Sequence, residues 1–323
     1  MTNKKLLWVL IVLTFCANIP HLGVWFGVPD QGQKYYQIAQ NMRDGKWMWI
    51  CEDSFFRTGC RVEHERYPLY PVLLTIADVI FNSIYVTKLL GGIFWAVSLL
   101  FVYKMTRSLL PSMAYLSVTY IYALDSDATS LYLMLCAVFF YLMWEKSSGL
   151  AALTMTAIVF ARPSIALCLF IPYILYAKRK ELPMLVVPAI ALAILISSGA
   201  SNPSQMFLAS YKEGSDYYLS IAMPPERTAV EKVWVYIHNL YEAFFVGLPK
   251  ILLFLVFVLP YSLFRNTKRN RAMIAYIVAL GLFHSLYFIE PRYMVTAIFG
   301  AYALDELGTD SKEEMIPPAD VNA

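Results

Sequence analysis

Few residues of this chain can do chemistry, and they gather at the ends of apolar runs. Asp30 follows Pro29, and a carboxylate in that place can take a proton from a hydroxyl. It can equally N-cap the stretch behind it, where Tyr35, Ile38, Ala39 and Met42 recur at near-helical spacing and Gly45 supplies a stop. Lys88, Arg162 and Arg292 sit beside or within apolar runs, where an ionisable side chain costs about 3 kcal/mol to insert and needs a reason. Each has a plain one. Lys88 can snorkel to an interface, Arg162 beside Pro163 can be a turn charge, and Arg292 can pair with Glu290 across Pro291. Each also suits an anion, and a guanidinium fork suits phosphate best. Asp125 and Asp127 stand in a turn, either solvated and capping the next helix or facing a site. Arg66 closes the alternating run Arg57, Arg61, Glu63, His64, Glu65, Arg66, most simply a solvated face. His21 and His284, in or near apolar runs, read as hydrogen-bonded structural residues.

These residues must be positioned by elements that the composition identifies. Of 323 residues, 59% are hydrophobic and 15% charged, and the mean hydropathy is +0.54. A soluble domain carries about 25% charged residues, so a soluble enzyme is excluded. The net charge of +3, without an interleaved basic and aromatic face, excludes nucleic acid as a partner. Apolar runs at 6–26, 84–103, 112–125, 128–144, 149–161, 164–177, 182–199, 248–264, 272–289 and 292–307 predict an all-α polytopic membrane bundle of about ten spans. The first run lacks a good cleavage site and reads as a retained anchor. The run 67–81, short and carrying Pro68 and Pro71, fits an interfacial or re-entrant helix.

Lys4, Lys5, Lys104, Arg107, Lys146, Lys178, Arg179, Lys180, Arg265, Lys268, Arg269 and Arg271 all fall on one side in this arrangement, which makes both termini cytoplasmic. Residues 1–305 then form the membrane domain. Its two outer segments are 27–83, which carries the candidate catalytic face, and 200–247; residues 306–323 form a disordered inner tail. In the second outer segment, Tyr211, Tyr217, Tyr218, Trp234, Tyr236 and Tyr241 suit an interfacial belt, and 230–245 an amphipathic surface helix. Cys16, Cys136 and Cys168 lie inside apolar runs as small hydrophobes. Cys51 and Cys60 share the first outer segment, where a disulfide is favoured over two free thiols or a metal pair with His64.

The order apolar anchor, Asp30, Tyr36-Gln-Ile-Ala39, Asp44-Gly45 and Arg66-Tyr-Pro-Leu-Tyr-Pro71 resembles the GT-C membrane glycosyltransferases, in the protein O-mannosyltransferase and aminoarabinose transferase branches. Phe160-Ala-Arg-Pro163 and Glu290-Pro-Arg-Tyr293 resemble later elements of the same family, so the likeness spans 1–175 and 270–305. The resemblance implies an inverting transfer of a sugar from a polyprenyl-phosphate donor to a hydroxyl acceptor (lipid, glycan or protein) on the outer face of a prokaryotic cell membrane. Asp30 would be the catalytic acid residue, with Arg66, Lys88, Asp127, Arg162, Glu290 and Arg292 binding substrate. Many relatives carry a second acid beside the first. Here Gln31 stands there, which withdraws support from a metal site of adjacent carboxylates; no cofactor is certain, and a divalent metal stays an open but unsupported alternative. The competing expectations are a lipid or glycan transporter or flippase, whose pathway the same charges would line, and a non-catalytic GT-C-like assembly subunit.

Overall fold

The computed structural model describes residues 30–53, 58–62, 66–106, 128–145, 147–197 and 268–285, together with positions 8, 11, 12, 112, 113, 115, 116, 119, 228, 230, 231, 233, 234, 236, 237 and 296. Helix is the dominant element. In chain order come α1 (Asp30–Arg43), a hairpin of β1 (Trp49–Asp53) and β2 (Thr58–Val62), α2 (Leu69–Phe81), α3 (Val86–Thr106), α4 (Thr129–Glu145), α5 (Ser148–Ala161), α6 (Pro163–Tyr176), a 3-10 turn (Arg179–Leu185), α7 (Val186–Ser197) and α8 (Lys268–Ser285). Six of the apolar runs coincide with these helices to within a few residues. The runs at 6–26 and 112–125 are described only at scattered helical positions, 248–264 not at all, and 292–307 only at Thr296.

Among the described residues two helical stretches, Val86–Met105 and Arg179–Ser197, are long and apolar enough to cross a membrane. Helix α2 is not: its 13 residues reach about 20 Å against a hydrocarbon core of about 30 Å. It starts behind Pro68 and stops at Asn82, which takes the left-handed conformation (φ 42°) that asparagine tolerates and returns its N–H to the Asp78 carbonyl at 2.8 Å. One flank of α2 is buried through Tyr70, Leu74, Ala77 and Asp78, while Ile76, Val79, Ile80 and Phe81 stay exposed.

The main core is built where α3 packs on α4, α4 on α5, α5 on α7 and α6 on α8. Buried hydroxyls tie α3 to positions 115 and 119 and α8 to position 296, because in a low-dielectric interior each must find a partner. Trp95 Nε1 donates to Thr119 Oγ1 at 2.7 Å, Ser98 and Tyr115 share a bond of 2.6 Å, and Tyr276 donates to Thr296 Oγ1 at 2.9 Å. Between α5 and α6 the helix breaks at Arg162 (φ −161°, ψ 87°), because a residue before proline is driven out of the α region. Pro163 then opens α6 at a position where no N–H is missed. In the second outer segment Thr228 and Glu231 form a capping box, the Thr228 N–H donating to Glu231 Oε2 at 2.8 Å and the Glu231 N–H to Thr228 Oγ1 at 3.4 Å. Val230, Val233, Trp234 and Ile237 follow as helical, exposed positions at helix-face spacing.

The hairpin is pinned to α1. Gly45 (φ 81°) turns the chain, and Met48 and Ile50 of the inward face pack on Ile38 and Met42. Cys51 and Cys60 stand opposite each other in the antiparallel register and are bonded as a disulfide, as their shared outer segment leads one to expect. Replacing both by serine removes a cross-link over a short loop, worth about 2–3 kcal/mol. Hydrogen exchange of the two strands should speed accordingly by roughly 30- to 150-fold, with α3 and α4 unchanged.

Candidate functional site

Helices α1 and α2 pack against each other through contacts spread along both. Tyr35 meets Tyr70 edge-on with ring centroids 5.0 Å apart, Thr75 Oγ1 donates to the Ala39 carbonyl at 3.2 Å, and Arg43 Nη1 reaches Asp78 Oδ2 at 2.7 Å and Asn82 Oδ1 at 3.2 Å. The first half of α1 therefore faces the first turn of α2. Asp30 opens α1 about 7.5 Å along the axis from Tyr35, while Arg66 precedes α2 and lays its Cζ 5.6 Å from the Tyr35 ring centroid.

Other cations stand on neighbouring groups. Arg162 places its Cζ 5.6 Å from the ring of Tyr67, the residue after Arg66, and Tyr67 packs with the main core. The Tyr70 hydroxyl donates to the Thr87 carbonyl at 3.2 Å, which fixes the turn of α3 that carries half-buried Lys88. Tyr35, Tyr70, Val86, Phe94, Ala128 and Ala161 pack together, so the chain just before Arg162 converges here too. Arg66 is buried. A buried guanidinium over a ring is worth about 2 kcal/mol.

Of the residues singled out in the sequence, Arg66 is tied to the Tyr35–Tyr70 cluster, the Lys88 turn to the same cluster through Thr87, and Arg162 to Tyr67 of the main core. Asp30 is placed at the start of α1, but its side chain lies outside the described residues, as do Asp127, Glu290 and Arg292 altogether. Among the described residues no three His, Cys, Asp or Glu side chains gather as metal ligands would.

Sequence reasoning passed over Asp78. Its side chain is fully buried and joins α1 to α2, accepting from the Tyr36 hydroxyl at 2.6 Å and from Arg43 at 2.7 Å. The signal was present as a lone acid in the apolar run 67–81, and as Tyr36 and Arg43 seven residues apart on one face of a helix. Burial first, and then the bond to Asp78, push the Tyr36 hydroxyl up to about 12, so it stays a proton donor at neutral pH.

No family model and no curated protein sequence matches the chain. Among solved structures, that of ArnT from Cupriavidus metallidurans bound to undecaprenyl phosphate has the same fold, with a TM-score of 0.57 and 13% sequence identity over 94% of this chain. The chain spans 59% of that protein's length. The likeness shows a shared, largely helical fold.

The raised Tyr36 value sets a pH dependence. A group with a folded pKa above its unfolded value of 10.0 contributes stability that is whole below about pH 10 and lost as pH rises through about 12. An ultraviolet tyrosine titration should show a step near 12 that Tyr36→Phe removes. Asp78→Asn should lower that step only in part, since burial remains.

Proposed function

We propose that the chain is an inverting glycosyltransferase of the GT-C kind, which moves a sugar from a polyprenyl-phosphate donor onto a hydroxyl acceptor at the outer membrane face. The observation that carries this reading is the packing of α1 on α2, with the first half of α1 set against Arg66, Arg162 over the neighbouring Tyr67, and the Lys88 turn bonded to Tyr70. The undecaprenyl phosphate held by the structurally similar ArnT supports a polyprenyl phosphate as the lipid partner.

In this mechanism the Asp30 carboxylate accepts the proton of the acceptor hydroxyl. The freed oxygen lone pair forms the new bond to the anomeric carbon from the face opposite the phosphate. The old bond from that carbon to the phosphate oxygen breaks, and its electron pair leaves with polyprenyl phosphate. One displacement inverts the centre, without a covalent enzyme intermediate. Charge grows on the leaving oxygen, so cations that are already fixed stabilise the transition state more than the ground state. Arg66, Lys88 and Arg162 serve this role. Arg292, flanked by Glu290, adds a further contact to the phosphate, and Asp127 faces the sugar. Ten spans, with segments 27–83 and 200–247 outside and the charged inner loops in the cytoplasm, put this chemistry on the outer face.

Membranes carrying matched amounts of wild type, Asp30→Asn, Arg66→Ala and Arg292→Ala, given radiolabelled polyprenyl-phosphate sugars, test the reading. Asparagine keeps the cap but cannot act as a base. Transfer should fall by about 10²–10⁴-fold in Asp30→Asn and by at least tenfold in the arginine variants. A wild type that consumes no donor, or an active Asp30→Asn, would sink the proposal; lipid movement without transfer would point to a flippase.

A further inference from the structure

The pair α1–α2 is held in two ways. Beside Arg66 the contacts are aromatic and cationic, with Arg66 over Tyr35 and Tyr35 against Tyr70. A second, polar contact converges on one residue, Asp78, whose two carboxyl oxygens are used separately, Oδ1 by Tyr36 and Oδ2 by Arg43. Arg43 reaches both Asp78 and Asn82 through the single nitrogen Nη1, so it also ties α1 to the left-handed residue that ends α2.

We propose that Asp78 is a positioning residue, which acts through Tyr36 and Arg43 to fix the axial register of α1 on α2 and thereby the place of Asp30 against Arg66. This rests on the transferase reading for its catalytic consequence, though not for its geometry. Two bonds to one rigid carboxyl, from residues two helical turns apart on α1, define the rotation of α1 as well as its slide. A helix held only by Ala39, Tyr35 and the apolar packing of Ile38 keeps its place against α2 but loses that definition. The cations that meet the donor phosphate are carried by other elements: Arg66 by the entry to α2, Lys88 by α3 and Arg162 by the α5–α6 break. Loosening α1 therefore moves the base away from the acceptor, while Lys88 and Arg162 stay in place and Arg66 keeps its ring so long as Tyr35 stays seated on Tyr70.

That separation is measurable. In purified protein in lipid nanodiscs, Asp78→Asn, Tyr36→Phe, Arg43→Gln and Arg43→Lys are compared by kcat, by Kd for undecaprenyl phosphate, and by amide exchange of residues 30–43 against 86–106. Asp78→Asn and Arg43→Gln should lower kcat about 10- to 100-fold, the scale of a displacement near 1 Å, while Kd changes by less than about threefold. Exchange in α1 should quicken at least about tenfold with α3 unchanged. Arg43→Lys should recover most of kcat, because a single donor nitrogen makes both contacts, and Tyr36→Phe should fall between. Unchanged exchange in α1 overturns the proposal, as does a loosened α1 with full kcat, or a loss of protection in α3 together with α1. Loss of transfer in Asp30→Asn with full kcat in Asp78→Asn overturns the clamp and leaves the transferase reading standing. A wild type that transfers nothing while α1 loosens in Asp78→Asn supports the clamp geometry and overturns the transferase.

Discussion

A carboxyl group buried away from solvent is tolerable only where donors surround it, and this requirement organises the packing of α1 on α2. Asp78 stands fully buried in an otherwise apolar helix and finds its donors on α1. Removing one partner of a buried ion pair costs about 3–5 kcal/mol, and less here because Arg43 stands partly in solvent. The alternative to docking α1 is worse, since Asp78 would then face hydrocarbon neighbours with nothing to bond. A single polar position thus dictates which face of α1 turns inward. The rest follows from helical geometry: once Tyr36 and Arg43 meet Asp78, Tyr35 falls against Tyr70 and under Arg66, and the first half of α1 faces the first turn of α2.

Aromatic rings solve a second problem beside Arg66 and Arg162. Cations cannot be left bare in a poorly solvated place. Tyr35 and Tyr67 offer ring faces to Arg66 and Arg162, which satisfies part of each charge. The disulfide hairpin supports the arrangement from outside. It buries Met48 and Ile50 on the flank of α1 that bears Ile38 and Met42, so α1 is gripped by α2 on one side and by a cross-linked ribbon on the other.

How much of this the sequence makes legible depends on the range of the interaction. Local grammar is readable: Gly45 and Asn82 close turns, Arg162-Pro163 breaks a helix, Thr228 and Glu231 build a cap, and each acts within a few residues. Cys51 and Cys60 are readable as a pair because they are close along the chain and on the oxidising side. Asp78 is not, because its partners Tyr36 and Arg43 lie 42 and 35 residues away and no local pattern announces them. Its neighbours even mislead, since hydropathy averaged over 67–81 absorbs one acid without trace. Likewise Arg66 reads as the end of a solvated charge run, whereas it is buried under an aromatic ring, because only the fold brings Tyr35 across to it. Lys88 and Arg162 stood out for the opposite reason: a charge beside a long apolar run advertises itself.

The central claim is that these separated cations form one receptor for a lipid-borne phosphate, and it is tested without any sugar or acceptor. Binding of undecaprenyl phosphate and of undecaprenol, which shares the chain but lacks the phosphate, is measured by native mass spectrometry on wild type, Arg66→Ala, Lys88→Ala and Arg162→Ala. The account predicts that wild type prefers the phosphate by at least about tenfold, on the scale of one charge-assisted hydrogen bond, and that each substitution erodes this preference while undecaprenol binding stays the same. Equal affinity for the two lipids, or a preference that survives all three substitutions, would contradict it.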